Sequence, residues 1–257
     1  MNTIINADDF GISKEVNQSR LNLHIKGSLT STTLIANSKA FDDAVQIAKG
    51  HSGLGIGVHL CLDGPFNIGK DYKTIIDNST GNFYSNIQII SKFKMFKVNE
   101  EEIYKEYCLQ IEKVLDSKIK ITHLDHHHHL HLYIPAMRCI IKAARKYKIP
   151  YVRTQKMISL KPKSFLNTFY RQIHHSFLNL RVNTANAYFE SSLKSPADFD
   201  LQYQRLVKLF GTNLKAVEIM LHPISDHDPE TLFYRSERVM KLLANHRLIN
   251  YGNLTYN

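Results

Sequence analysis

The sequence predicts an α/β fold, a (β/α) TIM-barrel-like single domain over 1-257 with loop insertions, and three observations predict it. Short apolar runs alternate with longer amphipathic segments along the whole chain, the pattern of βαβ units and a parallel sheet. Eight such runs within 257 residues is the size of a barrel, whether complete or imperfect. Acidic, imidazole and guanidinium groups recur at the carboxyl ends of the runs, the face on which barrels build their sites. A doubly wound open sheet is the competing architecture, but no Gly-rich phosphate loop follows the first run.

The strand candidates are Thr3 to Ala7, Leu29 to Ala36, Leu54 to Leu62, Lys118 to Asp125, Tyr151 to Thr154, Asn183 to Phe189, Ala216 to Leu221 and Leu248 to Tyr251. Val98 to Leu115 is read as a helix because Ile103, Tyr107, Ile111 and Leu115 recur on one face. Pro135 to Tyr147 carries Ile140, Ile141 and Ala144 in helical register and ends in a basic turn, as the helix dipole favours. Leu201 to Phe210 and Thr231 to Leu243 read the same way. Asp63 to Lys97 is a long Gly- and Asn-containing insertion, and Leu160 to Arg181 is a basic, aromatic stretch expected to carry an extra helix. Insertions after barrel strands shape the substrate mouth and can form oligomer contacts.

Composition narrows the functional classes. The formal charge of +10 comes from Lys and Arg spread along the chain, with no long run and no RRM or zinc-finger signature. It is read as solvated helix faces, and no nucleic-acid partner is expected. No apolar run is long enough to cross a bilayer, and the first residues do not form a signal peptide. Cys61, Cys108 and Cys139 are odd in number and lack CxxC spacing, so a reducing cytoplasm is the expected location.

The unusual feature is imidazole. Of 14 histidines, six fall between His123 and His131. Strand parity puts Ile119, Ile121, His123, Asp125 and His127 on one side and Leu124, His126 and His128 on the other, so only two or three of the run can face one site. Elsewhere the first strand runs into Asp8-Asp9, the third ends near His59, the fifth contains Arg153 and the seventh ends at His222-Pro223. A His/His/Asp set suits a borderline divalent metal with a water in an open position. The Asp8-Asp9 pair offers one carboxylate for the metal and one for a proton, provided a tight turn at Phe10-Gly11 brings both to the site.

Each feature also has a plainer use. Asp8-Asp9 is a common strand end, with Asp9 or Ser13 capping the next helix. His59 alone is an ordinary core histidine, the run a weak surface chelator, His222-Pro223 a turn, and Arg153 a structural partner for a carboxylate. Independent accidents would not all fall at strand carboxyl ends.

Taken in order, Asn6-Ala7-Asp8-Asp9-Phe10-Gly11, Thr30-Ser31-Thr32-Thr33, Gly57-Val58-His59-Leu60, Thr122 to His131 (THLDHHHHLH) and His222-Pro223 resemble the YdjC-like carbohydrate deacetylase family, which includes chitooligosaccharide deacetylase and hopanoid-associated deacetylase-like proteins. The resemblance implies a (β/α)-barrel-like fold, often dimeric, that removes acetyl groups from N-acetylated sugars. It implies Asp9, His59 and His127 as ligands of one divalent metal, Mg²⁺ by the family's habit and Zn²⁺ by the softness of two imidazoles. By the same resemblance Asp8 is the general base and His222 protonates the departing amine. Asp125, with His123 and Arg153, is expected to orient ligands or contact a small-molecule carbohydrate. His126 stands where these proteins commonly have a small residue, and Cys61-Leu62-Asp63-Gly64-Pro65 varies a Leu-Thr-containing turn. Two other readings stay open: a metal-dependent phosphoesterase or deaminase on a similar barrel, and a non-catalytic carbohydrate- or metal-binding protein.

Overall fold

A computed structural model describes residues 1–158 and 165–255; the first part of the basic segment predicted from Leu160 lies outside the described residues. In chain order the elements are β1 (Asn2–Phe10), α1 (Lys14–Ile25), β2 (Ser31–Leu34), α2 (Phe41–Gly50), β3 (Gly55–Leu60), β4 (Ile76–Asp77), β5 (Asn82–Phe83), α3 (Asn86–Lys94), α4 (Glu100–Asp116), β6 (Ile121–His126), α5 (Ile134–Lys146), β7 (Tyr151–Val152), β8 (Met157–Ile158), α6 (Phe165–Asn179), β9 (Ala187–Glu190), α7 (Phe199–Phe210), β10 (Ala216–Leu221), α8 (Pro229–Arg235), α9 (Glu237–Ala244) and β11 (Arg247–Leu248).

The main sheet is parallel and runs β7-β6-β3-β2-β1-β10-β9-β8, with β11 beside the start of β1. Its two end strands are consecutive in the chain, so the order is that of a barrel with a seam between β7 and β8. One Tyr151–Asn183 bridge crosses toward the β9 side of that seam. The sheet is strongly curled. His123 Nε2 on β6 lies 3.2 Å from Asn6 Oδ1 on β1 although β3 and β2 stand between them. In a flat sheet those strands would be about 14 Å apart at the usual spacing. Helices cover the outside, giving the barrel-like α/β architecture.

The curl separates two interiors. Outward-facing Ile5, Ala7, Val58, Leu60, Leu124, Val217 and Ile219 pack with Leu23, Ala44, Ile103 and Ile140 of the helices in one continuous apolar layer. The inner face is polar near the carboxyl end, with Asn6, Asp8, Thr33, His59, His123, Asp125 and Glu218 all buried. Below them Ile4, Tyr151, Ala216, Ile249, Tyr251 and Leu254 form a separate apolar plug at the amino end.

Glycine makes room for this inner layer. A Cβ on Gly57 would sit 2.6 Å from His123 Cε1 and 2.7 Å from Thr33 Cγ2. Gly57→Ala is therefore expected to cost about 3 kcal/mol, because the colliding groups are themselves packed. Urea unfolding within about 0.5 kcal/mol of wild type, the range of an ordinary surface change, would contradict it.

Local chemistry explains the helix starts. Ser13 Oγ accepts from Val16 N at 3.2 Å, so Ser13 and not Asp9 caps α1. Asn99 caps α4, whose first turn holds Glu100, Glu101 and Glu102. The Asp63 to Lys97 insertion is not a bare loop: it holds the β4–β5 hairpin and α3, and Glu106 of α4 accepts from Ile68 N at 2.8 Å and Gly69 N at 2.9 Å.

Several expectations are corrected. The helix predicted over Thr231 to Leu243 breaks at Ser236, whose ψ of 142° ends α8 while its hydroxyl caps α9. Leu248 to Tyr251 is not one strand, since β11 ends at Leu248 and Tyr251 begins a short 3₁₀ turn. Arg153 follows β7 and does not lie within it. The ladder from β6 to β3 slips between the Ile121 and His123 pairings, so Ile119 and Ile121 join the outer apolar layer while His123 and Asp125 face inward.

Candidate active site

The Asp8-Asp9 pair reaches the site by a bulge. On β1, Ala7 pairs with Thr32 and Phe10 with Leu34, so three residue steps oppose two, and Asp9 takes φ 65°. The expected turn at Phe10-Gly11 is present, with Gly11 at φ 95° and Ile12 N donating to Asp9 O at 3.3 Å, and Asp9 itself adds a left-handed position that non-glycine residues rarely occupy. The bulge lets two adjacent carboxylates reach one site. His127 arrives by a similar device: β6 ends at His126, and His128 and His129 follow at φ 51° and 55°. Such strain persists where surrounding structure enforces it.

Asp9 Oδ1 lies 3.3 Å from His59 Nε2 and 3.2 Å from His127 Nδ1, and the two nitrogens are 3.4 Å apart. Ligand atoms about 2.1 Å from one ion, in octahedral or tetrahedral geometry, are spaced by about 3.0–3.4 Å. His59 Nδ1 donates to Asp125 Oδ1 at 2.6 Å, which turns the Nε2 lone pair toward Asp9. Asp9 Oδ1 is buried without a hydrogen-bond partner, an arrangement that costs free energy unless a cation meets it. The donor set therefore fits a divalent ion.

Asp8 sits beside this group. Its Oδ1 accepts from Asn6 Nδ2 at 2.9 Å, Thr33 Oγ1 at 3.3 Å and Arg153 Nη2 at 2.6 Å, and Oδ2 accepts from Arg153 Nη1 at 2.7 Å. His222 Nε2 is 3.7 Å from Oδ2, and its side chain is 44% exposed, the open side of the site. Burial alone would raise the Asp8 carboxyl, but the Arg153 charge overcomes it and holds the group well below the usual range.

The sequence pattern of the YdjC-like protein family matches residues 2–253. The chain belongs to that family. A YdjC-like match of this extent is joined by relatives named carbohydrate deacetylase. One from Clostridium beijerinckii is 31% identical over 261 residues, covering 98% of this chain and 95% of the relative. One from Listeria innocua is 33% identical over 224 residues, covering 87% and 81%. A solved structure from Enterococcus faecalis, named for cellobiose-phosphate cleavage, superposes with a TM-score of 0.76 at 25% identity and covers 99% of both chains. A lactam utilization protein from Thermus thermophilus, at 14% identity and a TM-score of 0.54, covers 97% of this chain and 99% of its own and shares the fold.

In this YdjC-like protein Asp125, His123 and Arg153 lie beneath the Asp8–Asp9–His59 group. Asp125, His123 and Arg153 are each 0% exposed. Arg153 Nη2 contacts Asp8, Asp125 at 2.8 Å and Glu218 at 2.6 Å, so one guanidinium serves three acids. Burial raises Asp125 and Glu218 above ordinary carboxylates even against that charge. His123 stacks on Tyr251 at 3.9 Å and donates to Asn6, and burial pushes its pKa well down. His126 points outward against Tyr107 at 5.6 Å, so it is no ligand of this group. His128 instead meets Asp63, Nδ1 to Oδ2 at 2.5 Å, and Phe66 of the insertion packs edge-on to His127.

Residues missed in the sequence complete the network. Glu218 is a lone acid in the apolar run Ala216 to Leu221, a signal that was available. Tyr251 donates to Glu218 Oε2 at 2.5 Å. Glu230, 5% exposed, accepts from His222 N at 2.6 Å, and burial raises its carboxyl to about 7. A carboxyl raised from 4.5 favours the folded state below pH 4.5, and that contribution is lost as pH rises through about 7. Glu230→Gln should flatten the stability profile between those values, by up to about 3 kcal/mol. Unchanged slopes in pH-dependent denaturation would refute this.

Proposed function

We propose that residues 1–257 act as a single deacetylase domain, a metal-dependent hydrolase that removes the acetyl group from an N-acetylated amino sugar or short oligosaccharide. The observation that carries the reading is the convergence of Asp9, His59 and His127 beside Asp8 and His222 at the open end of the curled sheet. The relatives named carbohydrate deacetylase supply the substrate class. In this reading Asp9 Oδ1, His59 Nε2 and His127 Nδ1 hold one divalent ion, and two imidazoles with one carboxylate suit zinc by softness.

A divalent ion there polarises the acetamide carbonyl and acidifies the attacking water. Asp8 takes the water's proton on Oδ2, the oxygen with one protein donor; Oδ1 already holds three. The Arg153 pair keeps Asp8 ionised across the working pH range, which makes it an always available but weak base. His222, at the exposed rim, donates a proton to the departing amine. Asp125 fixes the His59 tautomer, and Arg153 fixes the plane of the Asp8 carboxylate.

Acetate release from a panel of N-acetylated sugars, with and without chelator, tests the activity. Release abolished by chelator and restored by one metal per chain is the expected result. No release from any sugar, or two metals per chain, would favour a phosphoesterase or deaminase. The ligand register has its own check. His127→Ala should lose bound metal, whereas His126→Ala and His128→Ala should keep it within about threefold, since those rings face Tyr107 and Asp63. Metal loss in the His128 variant alone would move the site outward.

A further inference from the structure

Arg20 is 1% exposed within α1, and no carboxylate forms an ion pair with it among the described residues. All of its hydrogen bonds go to backbone carbonyls. Nε donates to Asp8 O at 2.9 Å and Nη2 to the same oxygen; Nη1 donates to Val16 O at 3.0 Å and Pro223 O at 2.7 Å. Enclosing a guanidinium without a direct counter-charge is costly, and the cost lowers its pKa to about 10. An apolar side chain would fill the same space more cheaply, so the position of the carbonyls is the feature to explain.

Val16 O lies in α1 itself; the other two carbonyls belong to two turns at the site. Asp8 O begins the peptide leading into Asp9, the residue at φ 65° where the β1–β2 ladder slips. Pro223 O lies one residue past His222. The rest of α1 grips the same second turn, through Ser19 Oγ to Ser225 O at 3.1 Å and Asn22 Nδ2 to Asp226 Oδ2 at 2.6 Å. A planar fork with fixed donors ties two loops together more rigidly than a flexible ammonium can.

We propose that Arg20 is a positioning residue, a clamp that holds the Asp8–Asp9 peptide and the His222–Pro223 turn in one frame. It thereby sets the metal carboxylate against the proton donor. This rests on the deacetylase reading for the roles of Asp9 and His222, but the clamp itself concerns geometry. Its sign separates it from a purely electrostatic effect. A buried cation near Asp9 opposes a second cation, so removing charge alone would tighten metal binding; loosening the carboxylate would weaken it.

The test uses the full chain as Arg20→Lys, which keeps the charge and loses the fork, and Arg20→Gln, which loses the charge. Zn²⁺ is titrated into chelator-treated protein by calorimetry at a temperature where circular dichroism shows each variant folded. The Co²⁺ absorption spectrum reports the ligand geometry. Both variants should bind Zn²⁺ at least about tenfold more weakly, with an altered Co²⁺ band. Acetate release should lose about 10–100-fold in kcat with KM within about threefold. Wild-type or tighter Zn²⁺ binding in the folded Arg20→Lys protein overturns the clamp, and that variant decides if Arg20→Gln does not fold. A Zn²⁺ shift in the variants, alongside a wild type that releases no acetate, upholds the clamp and sinks the deacetylase reading.

Discussion

Asp8→Asn is expected to cut kcat for acetate release by about a thousandfold while leaving the metal in place. An amide cannot accept the proton that Oδ2 would take. Asp8 is not in the Asp9, His59 and His127 group, and the substitution keeps the shape of a side chain enclosed to 2% exposure. Arg153 still has Asp125 and Glu218, so the fold is expected to survive. Steady-state kinetics with metal analysis checks both halves. A kcat within about tenfold of wild type would remove Asp8 from the proton-transfer role, and loss of metal would show that the two carboxylates share the ion.

Arg153→Met should have the largest effect on stability, about 5 kcal/mol or more, and is expected to leave little soluble protein. Removing one partner of a buried ion pair strands the other, at about 3–5 kcal/mol. Here the same guanidinium faces Asp8, Asp125 and Glu218, with contacts of 2.6–2.8 Å. A domain's whole stability is about 5–15 kcal/mol. Arg153→Lys keeps the charge but not the fork, and should fall between the two. Denaturant midpoints are the measure. A methionine variant as stable as wild type would mean that the three acids take up protons at no cost.

The parts of this molecule legible in its sequence are those in which pattern and position coincide. The apolar runs ending in Asp8-Asp9, His59, Asp125 and His222 were found because their polar residues interrupt strands at one end. The curl that joins them was implied by the repetition of strand and helix. Period-2 reasoning failed at two bulges, because one extra residue reverses the alternation: at Asp8-Asp9 it aims both carboxylates inward, and beside Thr122 it turns Ile119 and Ile121 outward. Arg20 was hidden for another reason. On α1 it reads as one more basic residue, and nothing local says that its partners are carbonyls at Asp8 and Pro223. The break at Ser236 was invisible because the apolar spacing of α8 and α9 carries on through it.

The crowding of acids around Arg153 has a consequence for electroneutrality. Asp8, Asp9, Asp125 and Glu218 are four acids at one end of the sheet, and Arg153 and Arg20 are the two guanidinium groups buried among them. Fully ionised, the acids outnumber the guanidinium groups there, an excess of negative charge that a bound cation would offset. The raised carboxyls of Asp125 and Glu218 are where protons would otherwise make up the difference. Proton uptake and cation uptake by this interior therefore compete, and loading the protein with metal should acidify an unbuffered solution.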